Sequence, residues 1–426
     1  MVDALLDAWL RSDHRPVPET KVVGHRWSAR CSEVREFLAR NQVPYRWYNS
    51  DEPEGKRLLE AAQADGLALP VVITPDGDPL VEPSDAELAA RVGLATMPSK
   101  DFYDLIVIGG GPAGLGAAVY GASEGLRTVL VERLATGGQA GQSSRIENYL
   151  GFPDGVSGAQ LTDRARRQAA KFGAEVLTTR EVTGLEVCGS ARRVTFADGT
   201  SLDAHTVILA TGVSYRQLDA PGLAELTGRG VYYGSALTEV AACLGQDVYV
   251  VGGANSAGQA AVYLSRHAKS VTILVRGSSL EKSMSYYLIR QIADIPNISV
   301  RTCTEVVGAC GEGHLEGLTL RDTAKGTTES VDAQLLFLFI GAAPLTDWLE
   351  GVVVRDRMGF VIAGPDLGTD RLPGWELDRM PYHLETSIPG VFVAGDARSE
   401  SAKRVASAVG EGALAVMLVH RYLEKS

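Results

Sequence analysis

The stretch LIVIGGGPAGLGAAVYGASEGLRTVLVER, from Leu105 to Arg133, decides what kind of fold this chain adopts. It opens with an apolar run of strand composition and passes through Gly109-x-Gly111-x-x-Gly114. An alanine-rich segment follows, and a second apolar run ends at Glu132. The first glycine permits a tight turn, the second lets a pyrophosphate approach the backbone, and the third lets the helix pack closely on the strand. The helix start, with Pro112 and Ala113 in its first turn, offers N–H groups and a positive dipole end to an anion. Glu132 follows Gly109 by 23 residues, where an acid accepts from a ribose 2′-OH, and Arg133 lies beside it. A lone G-x-G-x-x-G arises by chance. Strand, turn, helix and distal acid in this order predict an adenine-dinucleotide site.

The same grammar recurs in DVYVVGGANSAGQAAVYLSRHAKSVTILVR, Asp247 to Arg276. Here the second glycine position is Ala254, and its methyl group crowds the place where phosphate comes nearest the backbone. Arg276 follows Gly252 by 24 residues and stands where Glu132 stands in the first unit. A cation there suits a 2′-phosphate, hence NADP rather than NAD. Gly252, Ser256, Ala257 and Arg276 are the candidate NADP residues, and the site reads as used, weakened or vestigial. Two such units predict an α/β protein with two Rossmann-like nucleotide-binding domains. Ahead of them, residues 1–98 read as a separate small α/β unit, joined by the polar linker MPSKDFY (Met97 to Tyr103).

With 426 residues, 45% hydrophobic and 22% charged, the chain has the composition of a globular protein of several domains. No apolar run approaches the roughly 20 residues that span a membrane. Acids near the N-terminus stand where a secretory signal would carry bases, so a cytoplasmic protein is expected. The net charge of −11 excludes non-specific nucleic-acid binding as a function class. Five cysteines, Cys31, Cys188, Cys243, Cys303 and Cys310, contain no C-x-x-C, which fits a reducing compartment. Scattered histidines suggest no metal site. Gly121-Ala-Ser-Glu-Gly125 matches a nucleophile-elbow pattern, but it falls inside the helix after the glycine turn.

Further along stand Thr136-Gly-Gly-Gln139, Ile146-Glu-Asn-Tyr-Leu-Gly-Phe-Pro153, Ala210-Thr-Gly212, Val393-Ala-Gly-Asp-Ala397 and Lys403-Arg-Val405. With the two glycine turns, these motifs resemble the thioredoxin-reductase-like branch of the pyridine-nucleotide–disulfide oxidoreductases over about residues 101–426. The resemblance implies FAD held by residues 101–213 and 340–426, an NAD(P)H-binding-type domain at 214–339, and a homodimer. It places Gly138, Gln139, Ile146, Asn148, Val182, Ala210, Thr211 and Gly212 at the cofactor. Gly395, Asp396 (on the ribityl chain), Arg404 and Val405 join them. Residues 1–98 resemble a glutaredoxin- or thioredoxin-like domain. Its attacking cysteine position is Ser28, only Cys31 of the pair remains, and Leu69-Pro70 resembles the fold's cis-proline turn.

In this family a redox Cys-x-x-Cys followed by an acid lies between the two nucleotide motifs. Here those positions read Gly234-Ser-Ala-Leu237, then Thr238, so reduction of thioredoxin through a protein disulfide is not expected. The flavin itself becomes the reactive group, with Tyr232, Tyr233, Gly234, Leu237 and Thr238 as candidates for the cleft wall and no evident catalytic base. The leading expectation is oxidation of a small-molecule thiol or dithiol at FAD with O₂ as acceptor. The alternatives are an NADPH-dependent reductase resembling the ferredoxin–NADP reductases of this fold, and a non-catalytic flavin-binding sensor or scaffold.

Overall fold

The structure, a computed structural model, describes residues 19–143, 146, 148–233, 243–368, 375 and 377–424. The chain divides into two compact units, Met1–Gly93 and Leu94–Ser426.

In the first unit, β1 (Thr20–Gly24), α1 (Ala29–Arg40), β2 (Tyr45–Asn49), α2 (Pro53–Ala61), β3 (Val71–Ile73), β4 (Pro79–Val81) and α3 (Asp85–Arg91) follow one another. The sheet order is β2-β1-β3-β4, with β1 and β2 parallel and β3 antiparallel to both β1 and β4. Val22, Val23, Val71 and Val72 are fully buried in its central strands, as expected of β-branched residues on a covered sheet. Helix starts are set locally: the Ser28 hydroxyl accepts the Cys31 N–H, and Ser84 and Glu87 form a reciprocal capping box. The Leu69–Pro70 peptide is cis.

The second unit opens with β5 (Phe102–Ile108), α4 (Pro112–Ser123), β6 (Thr128–Val131), the short α5 (Gly138–Gly141), α6 (Gly158–Lys171), β7 (Glu175–Leu177), β8 (Val182–Cys188), β9 (Ala191–Phe196) and β10 (Ser201–Leu209). Next come β11 (Val213–Tyr215), β12 (Val231–Tyr233), β13 (Asp247–Val251), α7 (Asn255–Leu264), β14 (Ser270–Leu274), α8 (Tyr286–Asp294) and β15 (Ile298–Arg301). The strands β16 (Thr304–Cys310), β17 (Gly317–Asp322), β18 (Thr327–Asp332), β19 (Leu335–Leu338), β20 (Ala342–Pro344) and β21 (Val391–Val393) precede the last helix, α9 (Val405–Leu423).

Its first sheet runs β7-β6-β5-β10-β9-β8, and β21 returns from far along the chain to lie parallel to β10. The near-continuous apolar run Leu105–Ile108 suits a strand covered on both faces. One face carries α4 and α9. These two helices cross closely because both are rich in small residues: a β-carbon at Gly412 would lie 2.1 Å from the Ala113 carbonyl oxygen. The second sheet, β12-β19-β13-β14-β15, is parallel throughout and covers α7 and α8 with a core that includes Val250, Ile273 and Phe337. Antiparallel β16-β17-β18 flanks it, and the short β11–β20 pair joins the two crossings of the chain. Among the described residues, no helix is long and apolar enough to cross a membrane.

Candidate functional site

At the end of β5 the chain turns sharply. Gly109 has φ +104°, and a β-carbon there would lie 2.3 Å from the Ala210 carbonyl oxygen, so only glycine fits between this turn and the end of β10. Gly114 is required by contact rather than conformation: its β-carbon would meet the Gly109 carbonyl oxygen at 1.8 Å. Gly111 is the N-cap of α4 and Pro112 its first residue, and no side chain caps the helix. The first-turn N–H groups therefore have no intrahelical partner and no cap, the arrangement that receives a phosphate.

Three further segments converge on this turn. Gly138, at the start of α5, is packed so tightly on it that a β-carbon would lie 2.9 Å from Gly111 Cα. Ala210, Thr211 and Gly212 continue from β10 beside Gly109, and the Gln139 amide nitrogen reaches across to the Val213 carbonyl at 3.2 Å. Gly395, after β21, is packed against Ala113 and donates its N–H to Glu411 Oε2 at 2.7 Å. This seats Asp396 beside the α4 terminus. Burial pushes the Asp396 carboxyl above the usual carboxylate range; the Lys403 ammonium opposes that and Glu411 adds to it.

Glu132 joins the group through its carboxylate, which accepts the Gly110 N–H at 2.7 Å and the Leu134 N–H at 3.1 Å. Each oxygen retains a further lone pair for a ribose hydroxyl. Arg133 is exposed beside it. Val182 opens β8 two residues after Arg180, whose N–H bonds the Glu132 carbonyl at 3.0 Å, so it lies toward this same end. Ile146 bridges to Val156 and packs in a small cluster with Val405, while Asn148 is exposed. Arg404 is the N-cap of α9, again without a side-chain cap.

The donor set suits a dinucleotide carrying a polar ring system. Among the described residues, Gln139 Oε1, Gln142 Oε1 and Thr211 Oγ1 are buried here without a hydrogen-bond partner, as is Thr178 Oγ1 near Glu132. Buried polar groups are rarely left so in a protein that has no ligand for them. Gln142, Thr178 and the buried Arg180, which pairs with Asp198 at 2.5 Å, escape sequence reasoning because no motif spacing marks them.

At the second turn, Gly252 packs under Phe339, and the methyl group of the fully buried Ala257 fills the place of a third glycine. Ala254 is the exposed N-cap of α7, and Ser256 is exposed in its first turn. Asn255 and Ser285 exchange two hydrogen bonds, Ser285 N–H to Asn255 Oδ1 at 2.7 Å and Asn255 Nδ2 to Ser285 Oγ at 3.0 Å. The Ser283 hydroxyl donates to the Gly253 carbonyl at 2.7 Å. These bonds draw the uncapped starts of α7 and α8 together. Arg276 follows β14, exposed and without an ion-pair partner among the described residues.

The cleft-wall candidates fare differently. Tyr232 is 5% exposed and stacks on Phe337 at 5.4 Å, which corrects its assignment: β12 alternates, and this side chain faces the core. The Tyr233 hydroxyl accepts the Leu218 N–H at 3.1 Å. Gly234, Leu237 and Thr238 lie outside the described residues. In the first unit, Cys31 is 1% exposed, wedged against Gly24, and burial pushes its thiol pKa up despite hydrogen bonds at Ser28 and His25. Among the described residues no cluster of three or more His, Cys, Asp or Glu side chains could hold a metal ion.

The sequence profile of the pyridine nucleotide-disulphide oxidoreductases matches residues 103–412. A thioredoxin reductase of Streptomyces clavuligerus is 37% identical over 331 residues, 76% of this chain and 95% of that protein. A thioredoxin reductase of Bacillus subtilis is 33% identical, covering 77% of this chain and 97% of its own. Lactococcus lactis thioredoxin reductase matches the structure with a TM-score of 0.68 at 28% identity, over 76% of this chain and 100% of that one. Thioredoxin reductases bind FAD and NADPH.

Proposed function

Since the chain belongs to the pyridine nucleotide-disulphide oxidoreductase family and is thioredoxin-reductase-like within it, we propose a FAD-dependent enzyme whose flavin meets a thiol or dithiol directly. No protein disulfide stands between them, and O₂ is the electron acceptor. Overall, a dithiol gives up two electrons and two protons and closes to a disulfide, while O₂ leaves as hydrogen peroxide.

The positions of the cysteines carry this reading. No two are spaced as C-x-x-C, and none belongs to a segment converging on the first glycine turn. Cys188 is exposed on the β8–β9 hairpin, Cys243 is fully buried ahead of β13, Cys303 precedes β16 and Cys310 ends it, and Cys31 lies in the first unit. Bound FAD supplies the two-electron relay. The uncapped α4 terminus would hold the pyrophosphate, Glu132 a ribose and Asp396 the ribityl chain, and Gln139 and Thr211 would face the ring. Ala254, exposed at the N-cap of α7, keeps a second dinucleotide at arm's length. The first unit acts as a thioredoxin-like module with one inert cysteine, and the enzyme is a homodimer.

An NADPH-dependent reductase is the second reading, favoured by the exposed Arg276 and by the joined helix starts of α7 and α8. Anaerobic stopped-flow absorbance, with NADPH and a dithiol mixed separately, decides between them. Bleaching by dithiol alone, with peroxide formed on readmitting air, supports the oxidase. Bleaching within seconds by NADPH alone overturns it in favour of the reductase, and no bleaching by either overturns both.

A further inference from the structure

Gln142 is the residue whose environment the sequence motifs leave unexplained. It is the C-cap of the four-residue helix α5, and its N–H bonds the Gln139 carbonyl at 3.3 Å, so both glutamines sit on one turn. The start of α6 locks that turn in place, since a β-carbon at Gly158 would strike the Ala140 carbonyl oxygen at 1.7 Å. Gln139 spends its amide nitrogen on Val213, which fixes the amide and leaves Oε1 as a free acceptor. Gln142 Oε1 is a second buried acceptor without a partner. Two such acceptors on one turn call for donors from a bound group.

The chemistry of that group makes the demand specific. An oxidised isoalloxazine carries one N–H donor, at N3. Two electrons, from a dithiol or NADPH, with a proton taken up at N5, add a second. The ring N–H groups can therefore match one of the two acceptors in the oxidised form and both in the reduced form. Hydrogen bonds to ring nitrogens are a principal means by which proteins tune flavin electronics.

We infer that Gln142 contacts the flavin and that its amide oxygen accepts from N5–H, favouring the reduced form and raising the reduction potential. This rests on the assignment of the site to FAD and goes beyond it, because it assigns a residue outside the recognised motifs a share in setting the driving force.

The test is a spectroelectrochemical midpoint measurement on full-length holoprotein, comparing wild type with Gln142→Met, which keeps side-chain length and removes the acceptor. Gln160→Met, on the exposed face of α6, controls for the substitution itself. Gln142→Met is expected to keep its FAD and lose about tenfold in the reduced-to-oxidised ratio at a given potential, a fall of about 30 mV for a two-electron couple, with Gln160→Met unchanged. Gln142→Asn, which withdraws the amide by one methylene, is expected to shift the same way and serves if the methionine variant does not fold. An unchanged midpoint in a folded, flavin-loaded Gln142 variant overturns the inference. A wild-type protein that neither carries nor takes up FAD overturns the site assignment beneath it, and flavin content distinguishes the two failures.

Discussion

Replacing Arg379 with methionine should be among the most damaging single changes in the second unit. Its partner Glu385 is 0% exposed and receives both guanidinium nitrogens, at 2.6 and 3.0 Å. The guanidinium also lies over the Tyr382 ring at 3.9 Å. Among the described residues, Arg379→Met leaves a fully buried carboxylate with only the Tyr382 and Gly390 N–H groups, at 2.9 and 3.0 Å. Breaking a buried pair costs about 3–5 kcal/mol, and the two surviving bonds place this case near the lower end, at about 3 kcal/mol. Urea unfolding at saturating FAD, followed by flavin fluorescence, reports this unit alone, and the loss should appear in the midpoint at constant m. The double variant Arg379→Met/Glu385→Gln should recover more than half of it, because no orphaned charge remains. A loss below about 1 kcal/mol, typical of an exposed pair, would refute the reasoning, as would a double variant no better than the single.

Two further outcomes follow from the nucleotide sites. Ala254 has φ −103° and ψ 177°, a conformation open to any residue, so Ala254→Gly acts only by removing a methyl from the phosphate approach. NADPH should bind about tenfold more tightly, ~1.4 kcal/mol, measured by isothermal titration calorimetry; an unchanged Kd would place the nucleotide elsewhere. At Asp396 the folded-state pKa is raised, so this group's contribution to stability is intact below the ordinary aspartate pKa of about 3.9 and is lost as pH rises through the folded value. FAD-free Asp396→Asn should therefore be more stable than FAD-free wild type at neutral pH and lose that advantage in acid. Denaturation midpoints across pH read the difference, and a gap independent of pH would rule out the cause.

Much of the first site was legible because its parts are contiguous: strand, turn, helix and Glu132 fall within one short segment, and local sterics at Gly109 and Gly114 leave few alternatives. The second turn was legible for the same reason as strand, turn and helix, while the exposure of Ala254 at the helix start shows only in the fold. What the sequence withheld depends on pairing across distance. The Tyr232–Tyr233 dipeptide offers one ring to each face of β12, and only the parallel register with β19, where Tyr232 pairs with Phe337, shows which ring is buried. Gln142 and Thr178 look like ordinary surface polar residues until the folded segments around them shut out water and supply no partner. The Asn255–Ser285 exchange joins residues on separate helices, and neither residue alone marks a site.

The return of β21 to β10, with α9 laid across α4, also has a temporal side. The turn around Gly109 leaves the ribosome roughly 300 residues before Gly412, which must nestle against Ala113. At about 5–20 residues per second, that wait lasts roughly 15–60 s. The β12–β19 portion has all its strands well before then and can close first. Cofactor loading is thus a late event in biogenesis, gated by synthesis of the last helix, and a nascent chain halted before α9 should be colourless however long it is kept with FAD.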